Sequence, residues 1–184
     1  MRTILPINSL PLKVVGVDVL QVRKLGASDA RSFQAVRLNG LRLHPDAFGS
    51  SWKEEAGRPL DRVGEALEAG FVLGCERAGA LVALAGFRKG AFLKTSHRGV
   101  IWGMYVEPEG RRVGVASLLL GTIIDHARSE VEDLTLAVAA HNEAAIALYR
   151  KFGFVEYGLD RRALKIDGEY VDEILMHVAV ETAR

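Results

Sequence analysis

Hydrophobic residues are spaced in two different ways along the chain, and the two spacings predict different elements. Over 19–25, VLQVRKL alternates apolar and polar residues, as a strand with one buried side does. Over 30–43, apolar residues recur every three or four positions after Ser28, which suits a helix start. A second helix is predicted over 59–70, because Pro59 is favourable in a first helical turn.

The remainder of the chain is predicted to form mostly strands, with two further helices. The predicted elements are two strands within 71–90, a strand over 99–107, a helix over 113–128, a strand over 133–140, a short helix over 142–152, and two strands within 154–180 that meet at Asp167-Gly168. The residues predicted to share the apolar side of the helix over 113–128 are Val113, Ala116, Leu120, Ile123, Ile124 and Ala127.

The predicted order is therefore β-α-α-β-β-β-α-β-α-β-β, which indicates an α/β (α+β) sheet covered by helices. Residues 1–18 contain Pro6 and Pro11 and predict an extended arm or an edge strand. Residues 19–184 contain no repeat or internal linker, and we expect them to form a single domain.

Composition narrows the classes of function. The 184 residues are 49% hydrophobic and 26% charged, and 24 basic residues nearly balance 23 acidic ones, so nucleic-acid binding is not expected. No signal peptide and no run of about 18 apolar residues is evident, so membrane insertion is not expected. Cys75 is the one cysteine, which gives no disulfide and favours a cytoplasmic protein. Its setting predicts a buried strand cysteine rather than a nucleophile.

The stretch RRVGVA, residues 111–116, places two arginines, a glycine and small residues where a helix begins. Free N–H groups at a helix start, together with nearby arginines, favour a bound anion such as a diphosphate. The P-loop pattern and the dinucleotide pattern G-x-G-x-x-G are both absent. Spacing alone leaves two interpretations open, an anion site or simply a charged loop before a helix.

Two linked motifs resemble a known family. Arg111-x-x-Gly114-x-Ala116 is similar to the acyl-CoA signature of GNAT-type N-acetyltransferases, and YVEPEGRRVGVASLLL resembles the surrounding strand-loop-helix block. Further on, LAVAAHNEAAIALYRKFGFVEYG resembles the second block of that family. The residues in register there are Asn142, Ala145, Leu148, Tyr149, Gly153 and Phe154. The order of predicted elements agrees with the family from about residue 19 to 180.

The resemblance implies a mixed, mostly antiparallel sheet that splays between its fourth and fifth strands, with helices on both faces. It implies that acetyl-CoA is the co-substrate and that no metal is needed. The residues that would bind the cofactor are Met104, Tyr105, Val106, Arg111, Arg112, Val113, Gly114, Val115, Ala116, Ser117, Asn142, Ala145 and Tyr149. The backbone at the end of LAVAA, residues 136–140, would form the opposite side of the gap from Met104, Tyr105 and Val106. Homodimers are common in the family, so a homodimer is one open expectation.

The reaction that the resemblance implies is transfer of an acetyl group to a primary amine by direct attack, with Tyr149 as the acid for the leaving thiolate. The general base is unassigned. Glu107, His97 and His141 are candidates, and water or an already neutral amine would need no residue. The alternative function is a non-catalytic acyl-CoA-binding regulatory module on the same fold.

The acceptor amine is unidentified. The resemblance implies that HPDAFGSSW, residues 44–52, and RRALKIDGEYV, residues 161–171, shape the acceptor side. Phe48 and Trp52 would either line an acceptor pocket or pin the loop to the core, and the second interpretation is slightly favoured.

Overall fold

The computed structural model describes residues 12–15 and 18–180. The helices are α1 (Ala30–Leu43), α2 (Trp52–Ala56), α3 (Leu60–Ala69), α4 (Val115–Ala127) and α5 (Glu143–Lys151). The strands are β1 (Leu12–Val15), β2 (Asp18–Lys24), β3 (Phe71–Arg77), β4 (Ala80–Lys89), β5 (Arg98–Val106), β6 (Asp133–Ala139), β7 (Val155–Ile166) and β8 (Glu169–Ala179).

The strands form one sheet in the order β1-β2-β3-β4-β5-β6-β8-β7. Every neighbouring pair is antiparallel except β5 and β6, which are parallel. The predicted fold class is therefore confirmed. The fourth and fifth strands of the prediction are β5 and β6 here, because β1 precedes the first predicted strand. Within the part of the chain that the structure describes, no helix is both long and apolar enough to cross a bilayer.

The two faces of the sheet carry separate hydrophobic cores. On one face α1 and α3 bury Phe33, Leu41 and Leu67 against Leu84 of β4. On the other face α4 and α5 pack over β2 to β6 and β8, with fully buried residues such as Leu120 at the centre. Two-sided burial explains why the central strands read as nearly continuous apolar runs instead of alternating ones.

The structure corrects the sequence prediction at two helices. No helix was predicted over residues 52–56, but they form α2, which begins with a capping box in which Ser51 Oγ accepts a hydrogen bond from Glu54 N at 3.3 Å. In α4, Val115 and Leu119 are buried but were not predicted to be on the apolar side. Val113 precedes the helix.

The predicted arm or edge strand over residues 1–18 lies largely outside the described residues. Leu12–Val15 do form a strand, which pairs with β2 at one edge of the sheet.

Shortening Leu120 to Ala is expected to lower the free energy of unfolding by about 2–5 kcal/mol, because Leu120 is fully buried and a cavity would remain. Denaturant titration of the purified protein measures this change. Leu93→Ala is the matched control, since Leu93 is 96% exposed and its loss should leave the unfolding midpoint unchanged. Equal midpoints for both variants would contradict the packing described for α4.

Candidate active site

A groove opens between β5 and β6, where the two parallel strands separate. Their pairing stops at Val100 and Thr135, and beyond this point the strands diverge. The groove has a volume of about 540 Å³. Its walls are residues 101–106 of β5, residues 136–139 of β6, the start of α4, one side of α5 and the loop between α1 and α2. It thus presents strand backbone on two sides.

A β-bulge in β5 lies on the wall of the groove. Trp102 pairs with Gly86 and Tyr105 with Leu84, so Gly103 and Met104 together face the one residue Ala85 on β4. Gly103 has φ +63°, a left-handed conformation that glycine adopts readily. The bulge turns β5 away from regular pairing just where β5 leaves β6.

Tyr149 of α5 reaches the same point of the groove from the opposite side. Its side chain is buried, and its hydroxyl lies 3.6 Å from Met104 Sδ. The Phe154 ring packs against the Tyr149 ring at a centroid distance of 5.8 Å. Burial raises the pKa of Tyr149 to about 12, so its hydroxyl keeps its proton at neutral pH. The site therefore contains a fixed, protonated phenol beside the bulge.

The start of α4 provides free backbone donors. Gly114 caps the helix with φ +88°, and the first helical hydrogen bond runs from Leu118 N to Gly114 O at 3.0 Å. The N–H groups of residues 115–117 therefore have no partner within the helix. Arg111 Nε donates to Val106 O at 3.0 Å, and Arg111 Nη2 lies 3.0 Å from His44 Nε2. Because arginine only donates, this His44 nitrogen must accept.

Asn142 caps α5 at the far wall of the groove. Its Oδ1 accepts a hydrogen bond from Ala145 N at 3.2 Å. Asn142 and Ala145 both line the groove. The cap leaves the Asn142 amide nitrogen as the group that is available to a ligand.

The structure divides the predicted cofactor residues into two groups. Those that line the groove are Met104, Tyr105, Val106, Arg111, Ala116, Asn142, Ala145 and Tyr149. Those outside its walls are Arg112, Val113, Gly114, Val115 and Ser117, all at or before the first turn of α4. The Val115 side chain is buried in the core, so only its backbone N–H could contact a ligand.

Of the three predicted base candidates, only His141 lies in the groove wall. His141 Nε2 is 2.6 Å from Asp46 Oδ2, which joins the β6–α5 turn to the α1–α2 loop. Glu107 is engaged elsewhere, since its Oε2 accepts hydrogen bonds from Asn39 Nδ2 at 2.6 Å and Tyr105 Oη at 3.1 Å. His97 is exposed outside the groove.

Phe48 in the α1–α2 loop and Trp52 at the start of α2 have different environments. Phe48 is buried in the α1 core, and the Arg37 guanidinium carbon lies 4.5 Å from the centre of its ring. Trp52 is 47% exposed and lies outside the groove walls. Phe48 thus pins the loop to the core, as the favoured interpretation predicted, whereas Trp52 does not.

Several groove residues were missed at the sequence level. They are His44, Asp46 and Ala47 in the α1–α2 loop. Leu136 to Ala139 of β6 also line the groove, on the wall that the resemblance assigned to the end of LAVAA. The HPDAFGSSW stretch indicated the loop as a region, but no spacing rule identifies which of its side chains reach across to β6.

Cys75 is buried in β3, and burial raises its pKa to about 11, so it is the structural cysteine that was predicted.

Comparison with known proteins finds similarity over the part of the chain that contains β5, α4, β6 and α5. Residues 39–154 match the family model described as Acetyltransferase (GNAT) family. The chain is 40% identical over 63 residues to the N-alpha-acetyltransferase RimI of Mycobacterium tuberculosis. That match covers 34% of this chain and 39% of the relative's length.

Solved structures share the fold. An acetyltransferase of the GNAT family from Streptococcus pneumoniae superposes with a TM-score of 0.79 and 23% identity, over 88% of this chain and 99% of that chain. The structure of yncA from Salmonella typhimurium with its cofactor acetyl-CoA superposes with a TM-score of 0.77 and 20% identity, over 88% of this chain and 94% of that chain.

Proposed function

The chain belongs to the acetyltransferase (GNAT) family, and from this we propose that it transfers an acetyl group from acetyl-CoA to a primary amine. The observation that carries the proposal is the groove between β5 and β6, where the Gly103 bulge and the Tyr149 hydroxyl meet. A thioester placed there would have backbone donors on one side and a protonated phenol on the other.

The pantetheine arm of acetyl-CoA suits the shape of the groove. Beyond Val100 and Thr135 the facing edges of β5 and β6 are no longer paired with each other. An extended chain that carries amide groups can pair with such edges as an added strand does. We therefore propose Met104, Tyr105 and Val106 as backbone contacts, with Asn142 and Ala145 on the opposite wall.

The diphosphate would lie at the start of α4. The free N–H groups of residues 115–117 and the positive end of the helix dipole favour an anion there. Arg111 and Arg112 add two positive charges beside it. Gly114 lets a ligand approach the backbone, because it has no side chain. Residues 111–117 thus form the proposed anion site even though most of them lie outside the groove itself.

In the proposed reaction the amine nitrogen forms a bond to the thioester carbon, and the carbonyl π electrons move to oxygen. When the carbonyl re-forms, the carbon–sulfur bond breaks and its electron pair leaves on sulfur. The nitrogen gives up one proton and the sulfur gains one, so the products are an amide and free CoA thiol. Backbone N–H groups of the bulge would stabilise the charge on oxygen.

Tyr149 would supply the proton to the departing sulfur. A phenol with a pKa of about 12 holds its proton more tightly than a free thiol, whose pKa is about 8.5. Formation of a free tyrosinate is therefore unfavourable. We propose that Tyr149 donates its proton while it receives one from the amine nitrogen, directly or through water, and so stays neutral overall.

The setting of the enzyme is also part of the proposal. The buried, unpaired Cys75 favours a reducing compartment, so we propose a cytoplasmic enzyme. We further propose that residues 19–184 form a single N-acetyltransferase domain, with residues 1–18 as an N-terminal arm or edge strand. A homodimer is a proposal that light scattering of the purified protein would test.

Titration calorimetry with acetyl-CoA, with inorganic pyrophosphate as the control, tests the proposed function. We expect tight binding of acetyl-CoA and weak binding of pyrophosphate. A panel of amines, including peptides with free N-termini because one relative is an N-alpha-acetyltransferase, is then screened for release of CoA. Absence of acetyl-CoA binding by the folded protein would overturn the proposal. Binding without turnover for any amine would favour a non-catalytic module.

A further inference from the structure

An arginine is buried directly beneath the bulge that borders the groove. The Arg37 side chain on α1 is 7% exposed. Its Nε donates to Glu55 Oε2 at 3.1 Å, and its Nη2 donates to Glu55 Oε1 at 2.9 Å and to Ser50 Oγ at 2.8 Å. The guanidinium also packs on the Phe48 ring. Arg37 is therefore held rigidly on three sides.

The carboxylate that holds Arg37 is fixed in turn. Ser50 Oγ donates to Glu55 Oε1 at 2.5 Å. Burial alone would raise the pKa of Glu55, but hydrogen bonds from Arg37 and Ser50 outweigh this effect and the pKa lies below its usual value. Glu55 is therefore ionised at neutral pH. The position of the guanidinium is set by α1, the α1–α2 loop and α2.

One nitrogen of this guanidinium has no partner. Among the described residues, Arg37 Nη1 is the one buried side-chain nitrogen or oxygen that makes no hydrogen bond. A Cβ atom built on Gly103 would lie 3.2 Å from this nitrogen, so Nη1 sits immediately under the bulge. A buried donor without an acceptor costs about 1–3 kcal/mol, and more for a charged group. Such a cost calls for an explanation.

We propose that Arg37 is a positioning residue for the acetyl group, and that Nη1 donates to the carbonyl of the Gly103–Met104 peptide when acetyl-CoA is bound. The proposal rests on the proposed function. In a trans peptide the C=O and N–H bonds point in opposite directions. Drawing the Gly103 carbonyl toward Arg37 therefore turns the Met104 N–H away from α1, toward the groove. This rotation changes ψ of Gly103 and φ of Met104, and Gly103 permits it because a residue without a Cβ atom is conformationally permissive.

A chain of contacts connects Arg37 to the Tyr149 hydroxyl through two residues. Nη1 lies under Gly103, Gly103 is bonded to Met104, and Met104 Sδ lies 3.6 Å from the Tyr149 hydroxyl. A Met104 N–H that faces the groove would meet the thioester oxygen beside Tyr149. Its hydrogen bond would strengthen as that oxygen gains charge during attack by the amine.

The test is the carbonyl stretching frequency of acetyl-CoA labelled with ¹³C at the thioester carbonyl, measured free and bound by infrared difference spectroscopy. It needs no acceptor. We expect binding to the wild-type protein to lower the frequency, because a hydrogen bond polarises the carbonyl. Arg37→Lys should lose most of this shift while keeping its affinity for acetyl-CoA, since an ammonium engaged with Glu55 has no second nitrogen to place under Gly103.

Arg37→Met serves as the second variant, although it leaves Glu55 without its cation and is expected to be less stable. Arg23→Lys is the matched control. Like Arg37, Arg23 is held by an ion pair, in its case with two carboxylates, Asp29 at 2.7 Å and Glu76 at 2.6 Å, but it lies on β2 away from the groove. Arg23→Lys should leave the carbonyl frequency unchanged. Circular dichroism melts confirm that each variant is folded.

Each outcome has a distinct meaning. A full wild-type shift in Arg37→Lys, or no shift in the wild-type complex, would overturn the positioning role while acetyl-CoA binding stands. Failure of the wild-type protein to bind acetyl-CoA would instead overturn the proposed function and this inference with it. Once an acceptor is found, Arg37→Lys should lower kcat by about 10²-fold with little change in the KM for acetyl-CoA.

Discussion

Replacing Gly114 with Asp is expected to abolish acetyl-CoA binding. Gly114 caps α4 with φ +88°, where a side chain adds a backbone cost of about 1–2 kcal/mol. The larger effect is electrostatic, because the new carboxylate would stand where the diphosphate is proposed to lie. Two unit charges about 4 Å apart near a protein surface interact by about 4 kcal/mol. This energy corresponds to about a 10³-fold loss of affinity.

Gly79→Asp separates the charge effect from the backbone effect. Gly79 is also left-handed, with φ +78°, and nothing lies within 4 Å of a Cβ built there. Both variants should lose similar stability in a thermal melt. Only Gly114→Asp should lose acetyl-CoA binding in titration calorimetry. Unchanged affinity in a folded Gly114→Asp variant would show that residues 111–117 do not hold the diphosphate.

Replacing Tyr149 with Phe is expected to lower kcat by about 10²–10⁴-fold, the range typical of a lost general acid. Acetyl-CoA affinity should be retained, because the change removes one hydroxyl and leaves the ring packed against Phe154. Stability should also be nearly unchanged, since the hydroxyl has only a weak contact with Met104 Sδ. Steady-state turnover with an acceptor from the amine panel measures the effect.

The pH dependence of the wild-type protein gives a second check on Tyr149. Its pKa is raised to about 12 by burial, so the proton needed for catalysis is present at all lower pH values and is lost only as pH rises through about 12. Ionisation of Tyr149 should therefore cause no fall in activity between neutral pH and the point where the protein itself unfolds.

For the Tyr149→Phe variant, the control for removing a phenol is Tyr157→Phe, on the exposed strand β7. Equal turnover of Tyr149→Phe and wild type would remove Tyr149 from the mechanism.

The sequence predicted the elements whose pattern is long and periodic. Helix α1 was predicted at its observed bounds, and the last hairpin turns at Asp167 and Gly168, both of which have positive φ. The five-residue helix α2 was missed, because one turn carries too little periodicity to be distinguished from a loop. On α4, Leu119 was missed because that helix is so apolar that no polar side marks its buried stripe.

The candidate site was only partly predictable for a different reason. Tyr149 and Asn142 stand in motifs with fixed spacing, and the structure brings both to the groove. Arg37 belongs to no motif, and the HPDAFGSSW stretch does not single out Asp46 among its residues. Each of the two matters through a partner far away in the chain. Asp46 contacts His141, and Arg37 lies beneath Gly103. Such pairings depend on how α1 crosses the sheet, which spacing along the chain does not determine.

The parallel junction of β5 and β6 also has a mechanical consequence. It comprises three register pairs, whereas β4 joins β5 through six and β6 joins β8 through seven. The junction is therefore the weakest lateral seam of the sheet, and the two halves on either side of it are held mainly by the core under α4 and α5. A ligand that forms hydrogen bonds to the facing edges of both β5 and β6 links the two halves of the sheet. Binding then couples the unfolding of the two halves and raises the stability of the whole protein.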